Sequence, residues 1–153
     1  MGLDTTHDCW HGPYSAFMRW RRAVAQAAGL PPLELMEGFF ERGDYRDPIR
    51  DYAATCPELA EHLYASLPIR WEALRPNPLH ALLSHSDCDG SISAAECGPM
   101  ADALEAVLPG LAEIAIRDPS IHRATYDGIR AATERFIAGL RRASAAGEYV
   151  EFR

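Results

Sequence analysis

Hydrophobic residues recur every three or four positions over several long stretches of this chain, which is the spacing of an α-helix with one apolar face. Polar turn formers, glycine and proline separate these stretches. The pattern predicts four main helices, near 14–28, 57–67, 94–108 and 120–145. Their stripes are Phe17, Trp20, Val24 and Ala27 in the first; Leu59, Leu63 and Leu67 in the second; Met100, Ala103, Leu104 and Val107 in the third; and Ile121, Thr125, Ile129, Ala132, Phe136 and Leu140 in the fourth.

Shorter segments complete the predicted architecture. Helical pieces are expected at 32–40, at 47–54 and in the stretch LHALLS, and the alternating tail EYVEF predicts one short C-terminal strand. The chain contains no internal repeat and no linker long enough to divide it. We therefore expect an all-α fold, a single compact domain over 1–153 with five to seven helices around a bundle-like or orthogonal core.

The charge balance narrows the range of partners. The formal net charge is −7, which argues against broad binding to a phosphate backbone, since such binding needs clustered basic residues. Two arginine clusters, Arg19 with Arg21 and Arg22 and Arg141 with Arg142, fall within helical patterns. We expect them to form solvated helix faces or salt bridges rather than a nucleic-acid site. No run approaches 18 apolar residues, so no membrane span is expected.

Cysteine usage bears on the compartment. The four cysteines, Cys9, Cys56, Cys88 and Cys97, are unevenly spaced and form no CxxC pair. The opening MGLDTTHDCW lacks the basic and apolar segments of a secretion signal. These features predict reduced thiols and a cytoplasmic location.

The stretch 85–97, HSDCDGSISAAEC, carries the sharpest chemical signal in the chain. A Ca²⁺ ion takes six or more oxygen ligands, and a twelve-residue loop supplies them from positions 1, 3, 5, 7, 9 and 12, with glycine at position 6 for the sharp turn. If Gly90 takes position 6, the remaining positions fall on His85, Asp87, Asp89, Ser91 through its backbone carbonyl, Ser93 and Glu96. These six residues are the candidate metal ligands.

This register resembles the EF-hand family. The segment GSISAAE matches the glycine, the apolar residue at position 8 (Ile92) and the closing glutamate, and apolar helical patterns flank it from Pro78 to Leu108. The resemblance implies an EF-hand-like helix-loop-helix over 78–108 that binds a divalent cation, with Ca²⁺ favoured and a regulatory or structural role. The binding partner, a protein or a small molecule, is not indicated by the sequence.

Two departures from the family pattern affect this interpretation. The first position is His85 where the family has aspartate, and imidazole suits Zn²⁺ or Mn²⁺ better than Ca²⁺. Either Ca²⁺ affinity falls, or the metal is Mn²⁺ or Zn²⁺, or His85 turns away and water takes its place. EF-hands also generally occur in pairs, and no second stretch has the spacing. A single EF-hand-like loop must be supported by other parts of the same chain or pair with its counterpart across a homodimer.

Two other interpretations fit the same residues. HSDCDG is similar to the His-x-Asp-x-Asp-Gly motif of the DHH phosphoesterases, and this resemblance implies Mn²⁺ ligation by His85, Asp87 and Asp89 at the end of a strand, in a metal-dependent hydrolase. However, no Asp-His-His motif accompanies it. Alternatively, the stretch is a metal-free turn, in which Ser93 and Glu96 form a capping box at the start of a helix.

The N-terminal stretch DTTHDCWHG places His7, Cys9 and His11 at alternate positions. Structural zinc sites normally draw on two such clusters, so we expect an anchor instead, with Trp10 packed on the helical core. The combination of this opening with SDCDG also resembles a group of bacterial and phage proteins, which implies no activity.

Three functions therefore remain open. The first is a non-enzymatic metal-binding protein. The second is a small hydrolase, which would need His7 or His11 beside the loop. The third is an interaction or ligand-sequestering protein, which an apolar groove at Arg19 and Trp20 would favour. The sequence shows no nucleophile with a base in register and no glycine-rich phosphate loop, so the expectation leans against an enzyme.

Overall fold

The computed structural model describes residues 2–39, 67–85, 90–117 and 123–153. The helix predicted at 47–54, most of the one at 57–67, and two candidate ligands, Asp87 and Asp89, lie outside the described residues. The elements in chain order are β1 (Gly2–Asp4), a 3₁₀ turn (Thr6–Asp8), β2 (His11–Pro13), α1 (Tyr14–Ala27), two further 3₁₀ turns (Leu33–Leu35 and Trp71–Leu74), α2 (His80–Ser84), β3 (Gly90–Ile92), α3 (Ala94–Arg117), α4 (Arg123–Ala146) and β4 (Val150–Phe152).

The mainly helical character is confirmed, and so is the short C-terminal strand. The predicted count of five to seven helices is not, because the described parts of the chain contain four α-helices. The expectation of an all-α fold also needs correction. Two small antiparallel sheets are present, one pairing β1 with β2 and the other pairing β3 with β4. Their strands are only three residues long, too short for a period-2 pattern to reveal most of them.

Helix α1 forms where the stripe predicts it. Pro13 precedes its first residue, and Gly29, with φ +69°, ends the helical path because a left-handed residue cannot continue it. The segment predicted as a helix at 32–40 forms only the 3₁₀ turn Leu33–Leu35. Met36, directly after this turn, is extended (φ −84°, ψ 151°) and forms a bridge with Ile69, and Gly38 follows with φ +81°, so the helical path ends here.

Helices α3 and α4 pack along each other, and this is the most extensive contact between two elements in the described parts of the chain. Helix α3 is longer than the sequence predicts, since it continues through Pro109 to Arg117. At its surface, Arg141 of α4 pairs with Asp102 (2.6 Å) and Glu105 (3.0 Å) of α3. The C-terminal end of α1 comes so close to α3 that a Cβ at Gly110 would lie 2.8 Å from the carbonyl oxygen of Ala27. A glycine is therefore needed at this crossing.

An aromatic cluster joins the N-terminal segment to the helices. Trp10 contacts Phe17 and Trp20, with ring centroids 5.0 and 5.3 Å apart, and Trp20 contacts Phe136 of α4 at 4.7 Å. The indole N–H of Trp20 donates to the hydroxyl of Thr133 (2.9 Å), so this buried polar group is satisfied. Trp10 thus anchors the N-terminal stretch to the core, as the sequence predicts.

The two ends of the chain meet beside β4. Arg153 and Asp4 exchange backbone hydrogen bonds of 2.8 and 3.0 Å, and Thr5 forms a bridge with Phe152. Strand β4 therefore lies between the N-terminal segment and β3. None of the helices in the described parts of the chain combines the length and apolar character that a membrane span requires.

Candidate metal-binding loop

The candidate loop lies between two helices. Helix α2 ends at Ser84, immediately before His85, and α3 begins at Ala94. Leu82 and Leu83 of α2 are fully buried, so the entry to the loop is fixed in the core. Because α2 has only five residues, most of its stability comes from this packing rather than from its own hydrogen bonds.

Gly90 occupies the turn position that the loop pattern assigns to glycine. Its φ is +123°, in a region that residues with side chains rarely adopt. A Cβ at this position would also lie 2.6 Å from His85 Nε2, because the imidazole folds back against the glycine. Both the backbone conformation and the close approach of His85 therefore require glycine here.

Strand β3 supports the second half of the loop. It pairs antiparallel with β4, with Gly90 opposite Phe152, Ser91 opposite Glu151 and Ile92 opposite Val150. Ile92, at position 8 of the loop register, is fully buried. The sequence predicts that a single EF-hand-like loop is supported by another part of the chain or pairs across a homodimer. In the described residues, the C-terminal strand of the same chain supports β3, and pairing across a homodimer stays a prediction.

His85 packs against the same strand. Its imidazole lies on the ring of Phe152, with centroids 3.9 Å apart and planes inclined by 31°. The residue is half-buried, and its Nε2 atom is shielded from solvent. At the first ligand position, the imidazole therefore has a packing role in this structure.

Ser93 and Glu96 form the predicted capping interaction at the start of α3. The backbone N–H of Ser93 donates to Glu96 Oε2 (3.1 Å), and the Ser93 hydroxyl donates to the same oxygen (2.6 Å). The bond from the Ser93 N–H satisfies a backbone donor that the helix cannot satisfy, whereas the N–H of Glu96 donates to the Ser93 carbonyl (3.0 Å) and not to its hydroxyl, so one half of the capping box forms. One oxygen of the candidate bidentate ligand is thus engaged, and Glu96 itself is exposed.

Arg21 contacts the first residue of the loop, and it is buried rather than exposed or paired at the surface. The sequence pattern placed it with Arg19 and Arg22 on a solvated face, but it is fully buried. Its Nη1 atom donates to the backbone carbonyl of His85 (2.7 Å) and lies 3.4 Å from the carbonyls of Leu82 and Leu83. Carbonyls at a helix C-terminus lack intrahelical donors, so the guanidinium caps α2 from the side of α1.

The other arginines agree better with the prediction of exposed or paired side chains. Arg19 is exposed, and Arg22 pairs with Glu34 at 2.6 Å. Arg141 pairs across α3 and α4, and Arg142 donates to the carbonyl of His7.

The N-terminal His and Cys residues point to different partners. His7 pairs with Glu148 (3.0 Å), and the exposed His11 contacts Asp4. Cys9 is buried against α4, where Gly139 leaves room for it. Over the described ranges, which omit Asp87, Cys88 and Asp89, no three His, Cys, Asp or Glu side chains converge on one point as metal ligands.

Burial controls the chemistry of the two thiols in the described ranges. Desolvation, with a smaller effect from nearby Cys97, raises the pKa of Cys9 from 9.0 to about 12. Burial also raises the pKa of the Cys97 thiol. Both thiols are therefore protonated at neutral pH and are poor nucleophiles.

The structure also bears on the two rival interpretations of function. The phosphoesterase resemblance implies a strand before His85, whereas the helix α2 precedes it. The interaction hypothesis called for an apolar groove at Arg19 and Trp20. Trp20 is buried in the aromatic cluster and Arg19 is exposed, so these two residues do not line such a groove.

No protein-family model, curated protein or solved structure matches this chain.

Proposed function

We propose that this protein is a small, non-enzymatic cytoplasmic protein that binds a divalent cation, with Ca²⁺ favoured, in the loop His85–Glu96. Its role would be structural or regulatory. The cation would tie the loop together and so stabilise the surrounding helices and strands.

One observation carries most of the proposal, namely the way the second half of the loop is built. Gly90 makes the turn with φ +123°, Ile92 is buried, and β3 is held by β4 between two helices. A metal-free cap at α3 requires only Ser93 and Glu96, and it gives no reason for a left-handed glycine followed by a paired strand. A loop that must bring oxygen ligands together over twelve residues does require such a turn.

The proposed ligands are Asp87, Asp89, the Ser91 carbonyl, Ser93 and Glu96, with water in place of a carboxylate at His85. Asp87 and Asp89 enter from the sequence, since they lie outside the described residues. A bound Ca²⁺ would be coordinated by the carboxylate oxygens and would offset their negative charge. Glu96 would have to give up part of its bonding to Ser93, and His85 supplies no charge. Both features lower affinity, so we expect a dissociation constant of about 10⁻⁴ to 10⁻³ M.

The non-enzymatic part of the proposal rests on the nucleophiles. Cys9 and Cys97 are buried with raised pKa values, so neither is an activated thiol. His7 is paired with Glu148 and His11 contacts Asp4, which directs both imidazoles to partners other than the loop.

Elemental analysis of the purified protein, followed by titration with Ca²⁺, Mn²⁺ and Zn²⁺, tests the proposal. We expect saturable binding of one ion per chain. Preference for Mn²⁺ with phosphodiesterase activity would support the hydrolase instead. Absence of saturable binding by all three ions would leave the metal-free capped turn.

A further inference from the structure

The buried guanidinium of Arg21 lies at the entry to the loop. Its side chain leaves α1, and Nη1 reaches the carbonyl of His85, 64 residues further along the chain, at 2.7 Å. The guanidinium carbon lies 4.8 Å from the ring centroid of Phe17 and 5.8 Å from that of Phe39. Aromatic faces and carbonyl oxygens together replace part of the hydration that a buried cation loses.

This geometry restricts the main chain where the loop begins. The fork of the guanidinium is planar and rigid, so a bond to the His85 carbonyl sets the direction of that peptide relative to α1. From this anchored peptide, the imidazole of His85 reaches Phe152 of β4. Arg21 and Phe152 thus hold the same loop residue from two sides, one through its backbone and the other through its ring.

We propose that Arg21 is a positioning residue for the loop: it fixes the main chain at His85, keeps the imidazole on Phe152, and thereby sets the affinity of the loop for a divalent cation. The last clause rests on the proposed function. Arg21 does not ligate the ion. It acts by holding the first loop position still, so that less conformational freedom is lost when an ion binds.

The variant Arg21→Lys tests this role because it keeps the positive charge and loses the rigid fork. The matched control is Arg22→Lys, the neighbouring residue on α1, which pairs with Glu34 and has no contact with the loop among its described interactions. Each protein is measured well below its melting temperature, with far-UV circular dichroism to show that the helices are intact. The readouts are the NMR shifts of the His85 ring protons and the Ca²⁺ dissociation constant.

In Arg21→Lys we expect the ring-current shift that Phe152 imposes on His85 to fall by about half or more, and the Ca²⁺ dissociation constant to rise about tenfold. Arg22→Lys should change neither quantity. A merely structural role of Arg21 would lower the melting temperature and leave the His85 shifts and the affinity of the folded protein unchanged, and that result overturns the proposal. Absence of Ca²⁺ binding in the wild type contradicts the proposed function, whereas the His85 shifts still decide the positioning role.

If Arg21→Lys does not fold, the wild-type protein provides the test. The guanidinium N–H protons of Arg21, observed with ¹⁵N-labelled arginine, should exchange slowly with water and show a coupling across the hydrogen bond to the His85 carbonyl. Exchange as fast as that of an exposed arginine such as Arg19 would overturn the proposal.

Discussion

The imidazole of His85 lies on the ring of Phe152, with 3.9 Å between the two centroids. This contact joins the first residue of the candidate loop to the C-terminal strand, 67 positions further along the chain by residue number. The same strand is bonded to the N-terminal segment through Asp4 and Arg153. A substitution in the loop is therefore expected to affect the packing of both ends of the chain.

Glu96→Gln separates the metal-site and capped-turn interpretations. Glutamine still serves in a capping box, so the melting temperature without metal should change by no more than about 2 °C. If Glu96 is the closing ligand, the loss of its charge should weaken Ca²⁺ binding at least about tenfold. Glu105→Gln is the control, since Glu105 is exposed on the same helix and pairs with Arg141 outside the loop. Equal Ca²⁺ affinity in Glu96→Gln and the wild type would exclude Glu96 as a ligand.

Two glycines of α4 should respond in opposite ways to alanine. A Cβ at Gly139 would overlap Cys9 Sγ and lie 2.9 Å from both Cys9 Cα and the His7 carbonyl oxygen, whereas a Cβ at Gly128 would meet nothing within 4 Å. Gly139→Ala should lower the free energy of unfolding by about 1–3 kcal/mol through overpacking. Gly128→Ala should raise it by up to about 1 kcal/mol, because alanine favours the helix. Urea unfolding of both variants and the wild type measures these changes in the free energy of unfolding. Equal effects would show that the N-terminal segment does not pack on α4 as described.

The raised pKa of Cys9 predicts a loss of stability at alkaline pH. Burial raises this pKa from 9.0 to about 12, so the folded state holds the proton more tightly than the unfolded state. The resulting stabilisation is complete below pH 9 and is lost as the pH rises from 9 towards 12. The free energy of unfolding, measured at pH 8 and pH 10.5, should therefore fall more in the wild type than in Cys9→Ala. Parallel pH dependences in the two proteins would contradict the burial of this thiol.

The sequence predicts the features that depend on residues close together in the chain. Helix α1 and most of α4 follow from long apolar stripes, and the Ser93–Glu96 cap follows from residues three positions apart. Burial of Arg21 could not be predicted, because its partners are carbonyls more than 60 residues away and its neighbour Arg22 is exposed. Strand β3 was also missed, since three residues show no alternation and their pairing is set by β4.

Two features of the second half of the loop could be predicted from the sequence, whereas its packing could not. Glycine at 90 and an apolar residue at 92 are visible in the sequence, and the structure gives them the left-handed turn and the buried position. The contact of His85 with Phe152 was not foreseen, because nothing in either local pattern connects the two residues. Tertiary contacts of this kind decide which side chains face a site and which face the core.

The titration of wild type and His85→Asp with Ca²⁺ tests the central claim, that the loop His85–Glu96 is a divalent-cation site. Aspartate restores the carboxylate missing at the first position but loses the contact with Phe152. Without metal, His85→Asp should therefore unfold more easily, by about 0.5–1.5 kcal/mol for a lost ring contact. His11→Asp makes the same exchange at an exposed residue of β2, which has no contact with the loop among its described interactions, and serves as the control.

We expect the wild type to bind one Ca²⁺ with a dissociation constant of about 10⁻⁴ to 10⁻³ M. His85→Asp should bind at least about tenfold more tightly, a gain of about 1.4 kcal/mol, while His11→Asp should differ little from the wild type. A heat of binding that shows no saturation in the wild type and in His85→Asp would contradict the claim.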